Sequence, residues 1–164
     1  LLGPLNLLDM ASELRVDRII PVNGVPTGGG GGIIQVKQSL YNTYATYNNS
    51  SFAALSGFTV NITPTRSDSK ILIILNLLLE TRSSSIIAVE LTRGGSSIFT
   101  NEGGYRGTNP HGGYISMTYL DSPATTSSVT YGVQTRSSNG DYTLNNYVGS
   151  GPANSFLTVM EVSG

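Results

Sequence analysis

The chain has 164 residues with 9 Lys+Arg against 10 Asp+Glu, a net charge of −1, and only 12% charged residues, where an ordinary soluble domain has ~25%. With no cysteine and a single histidine, His111, it carries no disulfide framework, thiol nucleophile, Cys/His zinc site or two-histidine catalytic arrangement within one chain. The balanced charge argues against a nucleic-acid binder, and 20 glycines, 9 tyrosines and abundant Ser, Thr and Asn describe a turn-rich, β-prone protein and weigh against an enzyme.

Residues 1–20 form a first zone, holding the charges Asp9, Glu13, Arg15, Asp17 and Arg18. Leu7, Met10 or Ala11, and Leu14 fall near helical spacing, so one or two turns are expected. A helix this short is marginal alone, below the ~12–15 residues that hold in water. The segment therefore needs another surface, a sister subunit or an assembly partner, and Leu5, Leu7, Leu8, Leu14, Val16 and Ile19 are its candidate contacts. The Leu1–Leu8 stretch lacks a basic region and is interrupted by Pro4 and Asn6, unlike a signal peptide. No run approaches the ~18 apolar residues of a membrane span, so no membrane partner is expected. The first residue is Leu1 rather than Met, which points to processing or to leading residues absent from this sequence.

Residues 21–32 read as a hinge. Pro21 and Pro26 fix their own φ and push their predecessors out of the helical region. The glycines Gly28 to Gly32 that follow have neither the Lys-Ser/Thr nor the strand-loop-helix context of a phosphate cradle.

Residues 33–164 are β throughout. Strands are expected at Ile33–Gln38, Tyr41–Tyr47, Phe58–Thr63, Lys70–Glu80, Ile86–Thr92, Ser96–Thr100, Ile115–Tyr119, Val129–Gln134, Tyr142–Asn146 and near Leu157–Met160, on alternating apolar and polar residues between turns. Arg93-Gly94-Gly95-Ser96 and Ser138-Asn139-Gly140-Asp141 carry hairpin signals. Short strands at this spacing make an all-β, antiparallel sandwich. One strand is apolar on both faces: Ile71, Ile73, Leu75, Leu77 and Leu79 alternate with Leu72, Ile74 and Leu78. One face packs on the core, and the other needs a second cover. Another copy of the chain, meeting one or other set, is the simplest cover; a loop of the same chain is the alternative. If Leu75 lies in such a seal, Leu75→Asp leaves monomer or aggregate.

His111 sits in a Gly-rich stretch, Gly103 to Tyr114, with no intrachain team for catalysis. It is expected as an exposed loop residue, and no metal or cofactor is assigned. The acidic residues Glu80, Glu90, Glu102, Asp121 and Asp141 give no spacing specific to paired-carboxylate chemistry. The Asn-x-Ser/Thr triplets at Asn48, Asn49 and Asn61 are of the kind that arises by chance in Ser/Thr-rich sequence. Loop chemistry stands out more. Tyr105, Arg106, Asn109, His111 and Tyr114 form one group, and Asn139, Asp141, Tyr142, Asn145, Asn146 and Tyr147 a second. Rigid amphipathic rings beside short hydrogen-bonding side chains suit a recognition surface, carbohydrate included.

Leu14-Arg15-Val16-Asp17-Arg18-Ile19-Ile20-Pro21, Gly24-Val25-Pro26 and the glycine run, then Ile33-Ile34-Gln35-Val36-Lys37-Gln38, form a recognisable string. So do Leu55 to Thr65, Ser69 to Ile73, Leu91 to Gly95 and Thr118 to Thr126. Over most of residues 14–162 this pattern resembles the C-terminal domains of tailed-phage fibres and other virion structural proteins, cyanophage ones among them. The resemblance implies a non-enzymatic virion component on tail or capsid surface: a homotrimer whose β domain is a jelly-roll, tumour-necrosis-factor-like knob. It also implies that residues 1–20 attach to other virion proteins and that the head binds a host-surface glycan. With no shaft before the knob, a short fibre fits better than a long one. A capsid decoration protein is the alternative, and a glycan-cleaving tailspike a lesser one.

Overall fold

The computed structural model describes residues 32–82, 84–107, 111–146 and 153–163. The expected anchor with Leu5, Leu7, Leu8, Leu14, Val16 and Ile19, nearly all of the hinge, and the loop residues Asn109 and Tyr147 lie outside the described residues.

Among the described residues ten strands follow in order: β1 (Ile33–Tyr41), β2 (Ala45–Tyr47), β3 (Ala53–Ile62), β4 (Lys70–Thr81), β5 (Ser85–Arg93), β6 (Ser96–Gly107), β7 (His111–Asp121), β8 (Val129–Ser137), β9 (Tyr142–Leu144) and β10 (Ser155–Val162). They make two antiparallel sheets. In the first, β4 is central, with β10 and then β1 on one side and β7 on the other; β9 continues the β10 side and carries β2. The second runs β3-β8-β5-β6. The pairing is nested: β5 with β6, β4 with β7, β3 with β8, β2 with β9 and β1 with β10. The chain is thus one long hairpin bent at the β5–β6 turn and rolled up, with β10·β4, β4·β9 and β5·β8 closing the roll. This is the jelly-roll arrangement of two facing sheets.

The bend is the Arg93–Ser96 turn, where Gly94 and Gly95 have φ of 57° and 83°, the pair of positive values that a tight hairpin turn requires. The second expected hairpin is corrected. Gly140 does turn the chain at φ 70°, but β8 and β9 belong to different sheets and do not pair. Asn139-Gly140 is a crossover between layers, held by the Ser137 hydroxyl, which donates to the Asn139 carbonyl at 3.1 Å.

Alternation along β4 sends Ile71, Ile73, Leu75, Leu77 and Leu79 between the sheets, each fully buried. They meet Phe58, Val60 and Ile62 of β3, Ile87, Val89 and Leu91 of β5, and Tyr131 and Val133 of β8 in one core. Each such side chain contributes about 1.5–3 kcal/mol. An aromatic pair closes each open edge of the sandwich: Tyr41 on Phe58 at 4.9 Å, and Phe99 on Tyr119 at 5.1 Å.

The Gly-rich stretch from Gly103 is strand for most of its described length, not a long connection. A Cβ on Gly104 would lie 2.7 Å from Ile115 Cδ1 and 2.9 Å from the Ile87 carbonyl, and one on Gly113 would lie 2.9 Å from the Tyr105 ring. One on Gly107 would collide with the Thr81 hydroxyl. These glycines let neighbouring layers touch.

Candidate functional site

β4 runs 12 residues from Lys70 to Thr81, about 35–40 Å, and its direction defines two ends. Ile33 and Val162 pair beside Lys70, so the domain is entered and left at that proximal end. Thr81 lies level with His111 and Tyr142, which places the β4–β5, β6–β7 and β8–β9 connections together at the distal end. The described members of both loop groups singled out in the sequence converge there.

Their members separate by burial. Arg106, His111, Tyr114, Asn139 and Asp141 are exposed. Tyr105 is partly buried against the core, with its ring stacked on His111 at 6.2 Å. Tyr114 stands on the outer face of β7 and approaches the Asn154 carbonyl at 3.5 Å.

Tyr142 and Asn145 are corrected as ligand contacts, because both are fully buried. The Tyr142 ring stacks on Tyr47 at 5.7 Å, and its hydroxyl donates to Asn49 Oδ1 at 3.0 Å and lies 2.7 Å from Thr135 Oγ1. Burial pushes this phenol above its ordinary value even though the bonds to Thr135 and Asn49 work the other way. Asn145 donates through Nδ2 to the Tyr41 and Thr43 carbonyls at 2.8 and 3.0 Å and accepts the Ser155 hydroxyl at 2.6 Å. Both are clamps behind the distal surface. Asn146, partly buried, donates to the Glu80 carboxylate at 3.1 Å.

Most of the acidic residues are engaged separately. Glu80 pairs with Arg82 at 3.1 Å, Glu90 accepts from Thr100 at 2.9 Å, and Glu102 pairs with Arg136. Asp121, at the proximal end, takes Arg93 at 2.9 Å and the Tyr131 hydroxyl at 2.6 Å. Burial, then the Asp121 carboxylate, raises the Tyr131 phenol far above its usual value. No cluster of three metal-ligating side chains occurs among the described residues.

The outer faces of the two sheets differ in kind. On the β3-β8-β5-β6 sheet the register places Thr59, Asn61, Thr130, Gln134 and Arg136 on a mainly polar outer face, with Glu90 and Thr92 buried on the same side of β5 and Ile86 and Ala88 its apolar members. On the other sheet, Val36, Met160, Leu72 and Leu120 stand in one row across four strands. Ile33 and Val162 flank that row on the proximal side; on the distal side the next row is Gln38, Thr158, Ile74 and Thr118, and Leu40 and Phe156 stand beyond it beside Asn76 and Ser116. Val36, Leu40 and Leu120 are 51, 52 and 52% exposed. Between Lys70 at one rim and Glu80 at the other, this face carries no charged side chain among the described residues.

Of the two β4 sets expected to seal against another chain, the first is corrected: Ile71, Ile73, Leu75, Leu77 and Leu79 form this chain's own interior. Leu72 and Ile74 point outward, half-buried. Leu78 also has outward parity but is 1% exposed; its backbone is bonded to Asn145 and to the Ser155 hydroxyl, so the chain covers this position itself. The sequence missed the rest of the row, since Val36, Met160 and Leu120 come from separate strands and only register unites them with Leu72.

No protein-family model matches the chain. No curated protein matches it. Solved structures similar to it include the infectious bursal disease virus VP2 subviral particle, at 13% identity and a TM-score of 0.47, covering 78% of this chain and 40% of that one. Another is infectious bursal disease virus of the Gx strain, at 12% identity and a TM-score of 0.41, covering 79% and 40% respectively. The chain spans less than half the length of either structure that it matches.

Proposed function

We propose that the chain is a virion structural protein of the phage-fibre kind: a trimeric β-sandwich head, held on the virion through residues 1–20 and the hinge 21–32, presenting its distal loops to a host-surface glycan. The outer face of the β1-β10-β4-β7 sheet carries this reading. An apolar, uncharged row four strands wide is the kind of surface that marks association, and the opposite outer face is mainly polar. Copies meeting on the apolar face leave the distal loops free and turned away from the end where the chain enters. Three weak sites on one rigid body then give an avidity that a single shallow site lacks. The sequence resemblance to fibre domains supplies the number three.

Light scattering on the full chain tests this. A mass near three times the monomer is expected, falling to one for Leu72→Asp combined with Leu120→Asp while the circular dichroism of the fold is retained. A wild-type chain that stays monomeric at high concentration would remove the proposal.

A further inference from the structure

The distal end of the polar sheet holds a cleft of about 340 Å³ lined by Ser84, Ser85, Ile86, Arg106, Gly107 and Ser138, within the size range of small-molecule sites. Arg106 stands across from Ile86 in the β5–β6 ladder. Ser138 joins Ile86 on the other side: its amide donates to the Ile86 carbonyl at 2.9 Å, and its hydroxyl accepts from the Ile86 amide at 2.9 Å.

Charge distinguishes this cleft. Arg66, Arg82, Arg93 and Arg136 each face a carboxylate, those of Asp68, Glu80, Asp121 and Glu102. Arg106 is exposed and has no such partner among the described residues. Among the described residues no acidic side chain lines the cleft. The hydroxyls around Arg106 add donors. Ser138 accepts from Ile86, so its own proton remains available. Ser85 Oγ is buried in the wall without a hydrogen-bond partner, and Ser84 is exposed at the rim. A concave, donor-rich site with one uncompensated cation selects an occupant that brings one negative charge and several oxygen acceptors.

We propose that this cleft binds a singly charged anionic group of a surface polysaccharide, a sugar carboxylate or a phosphodiester, through Arg106. The guanidinium presents paired N–H donors to two anionic oxygens, and Ser84 and Ser138 take the neighbouring sugar hydroxyls. The inference rests on the glycan-binding reading above and narrows it to acidic saccharides.

Amide-resolved NMR titration of the full chain with sodium glucuronate, dimethyl phosphate and neutral glucose tests it. Shifts confined to Ser84–Ile86, Arg106, Gly107 and Ser138 are expected with an anionic probe and not with glucose. Response to glucuronate identifies the carboxylate as the source, and response to dimethyl phosphate alone identifies the phosphodiester. Arg106→Gln should weaken binding at least about tenfold, the loss of a charge-assisted hydrogen bond, while Arg66→Gln at the proximal end leaves it unchanged. Equal response to glucose, or anion binding indifferent to Arg106→Gln, overturns the inference. An array of bacterial polysaccharides probed with the wild-type chain separates the two failures. Retention of neutral polysaccharides alone overturns the acidic-sugar assignment and leaves glycan binding standing; retention of none overturns both.

Discussion

Asn145 concentrates more of the distal end in one side chain than any other residue described. Its backbone adopts φ 55°, a left-handed conformation that asparagine tolerates and most residues do not. Its amide group holds the Tyr41 and Thr43 carbonyls and the Ser155 hydroxyl. Asn145→Ala strands three buried polar groups and should cost about 3 kcal/mol or more in urea denaturation. Asn145→Gly relieves only the backbone strain and should recover less than half of that loss. In the sequence this asparagine was indistinguishable from its exposed neighbours, because a residue that suits a recognition loop also suits a buried turn.

Glu161 is a second residue-scale device. Its carboxylate is fully buried, yet it accepts from Gln35 Nε2 at 2.6 Å and from the Thr65 amide and hydroxyl at 2.7 and 2.8 Å. Burial raises its pKa, but the bonds from Gln35 and Thr65 outweigh this and hold it below the ordinary glutamate range. A carboxylate depressed by folding stabilises the fold above its unfolded value, and that contribution disappears as pH falls through the folded one. The chain should therefore lose stability on acidification below the usual glutamate range. Glu161→Gln should be less stable by about 1–3 kcal/mol at neutral pH, with the two stability curves converging in acid.

At the scale of elements, β4 shows what sequence alone could and could not settle. Its two apolar faces, and the need for two covers, were readable from Lys70 to Glu80. Which set faced inward was not, because alternation has the same period in either register. Packing decides it. Leu75→Ala should cost about 2–5 kcal/mol by leaving a core cavity, while Leu72→Ala on the outer face should change monomer stability little. A Leu75→Asp variant accordingly reports on folding, not on assembly. The glycines of β6 and β7 taught the opposite lesson: composition suggested a loop, whereas Gly104, Gly107 and Gly113 are strand residues whose missing side chains make room for Ile115, Thr81 and Tyr105. That signal is a distance between layers, and no local pattern encodes it.

At the scale of the whole molecule, the sandwich was legible because every strand carries its own alternation and turn chemistry. The sheet order was not, since each sheet joins strands remote in sequence, and β1·β10 pairing spans residues 33 to 162. The distal cleft depends on that order. Arg106 and Ser138 stand on opposite sides of Ile86 only because β6 and β8 both pair with β5.

The rolled hairpin also has mechanical consequences. The Ser163 amide donates to the Gly32 carbonyl at 3.1 Å, so the two tails of the domain leave side by side. Tension between those tails would act on one rung at a time and peel β1 from β10 like a zipper. Tension between the β1 tail and a load gripped at the distal end would instead run along the strands. Every hydrogen bond of the β1·β10 ladder would then bear shear together, and the domain would resist tugging along its own axis far better than separation of its tails.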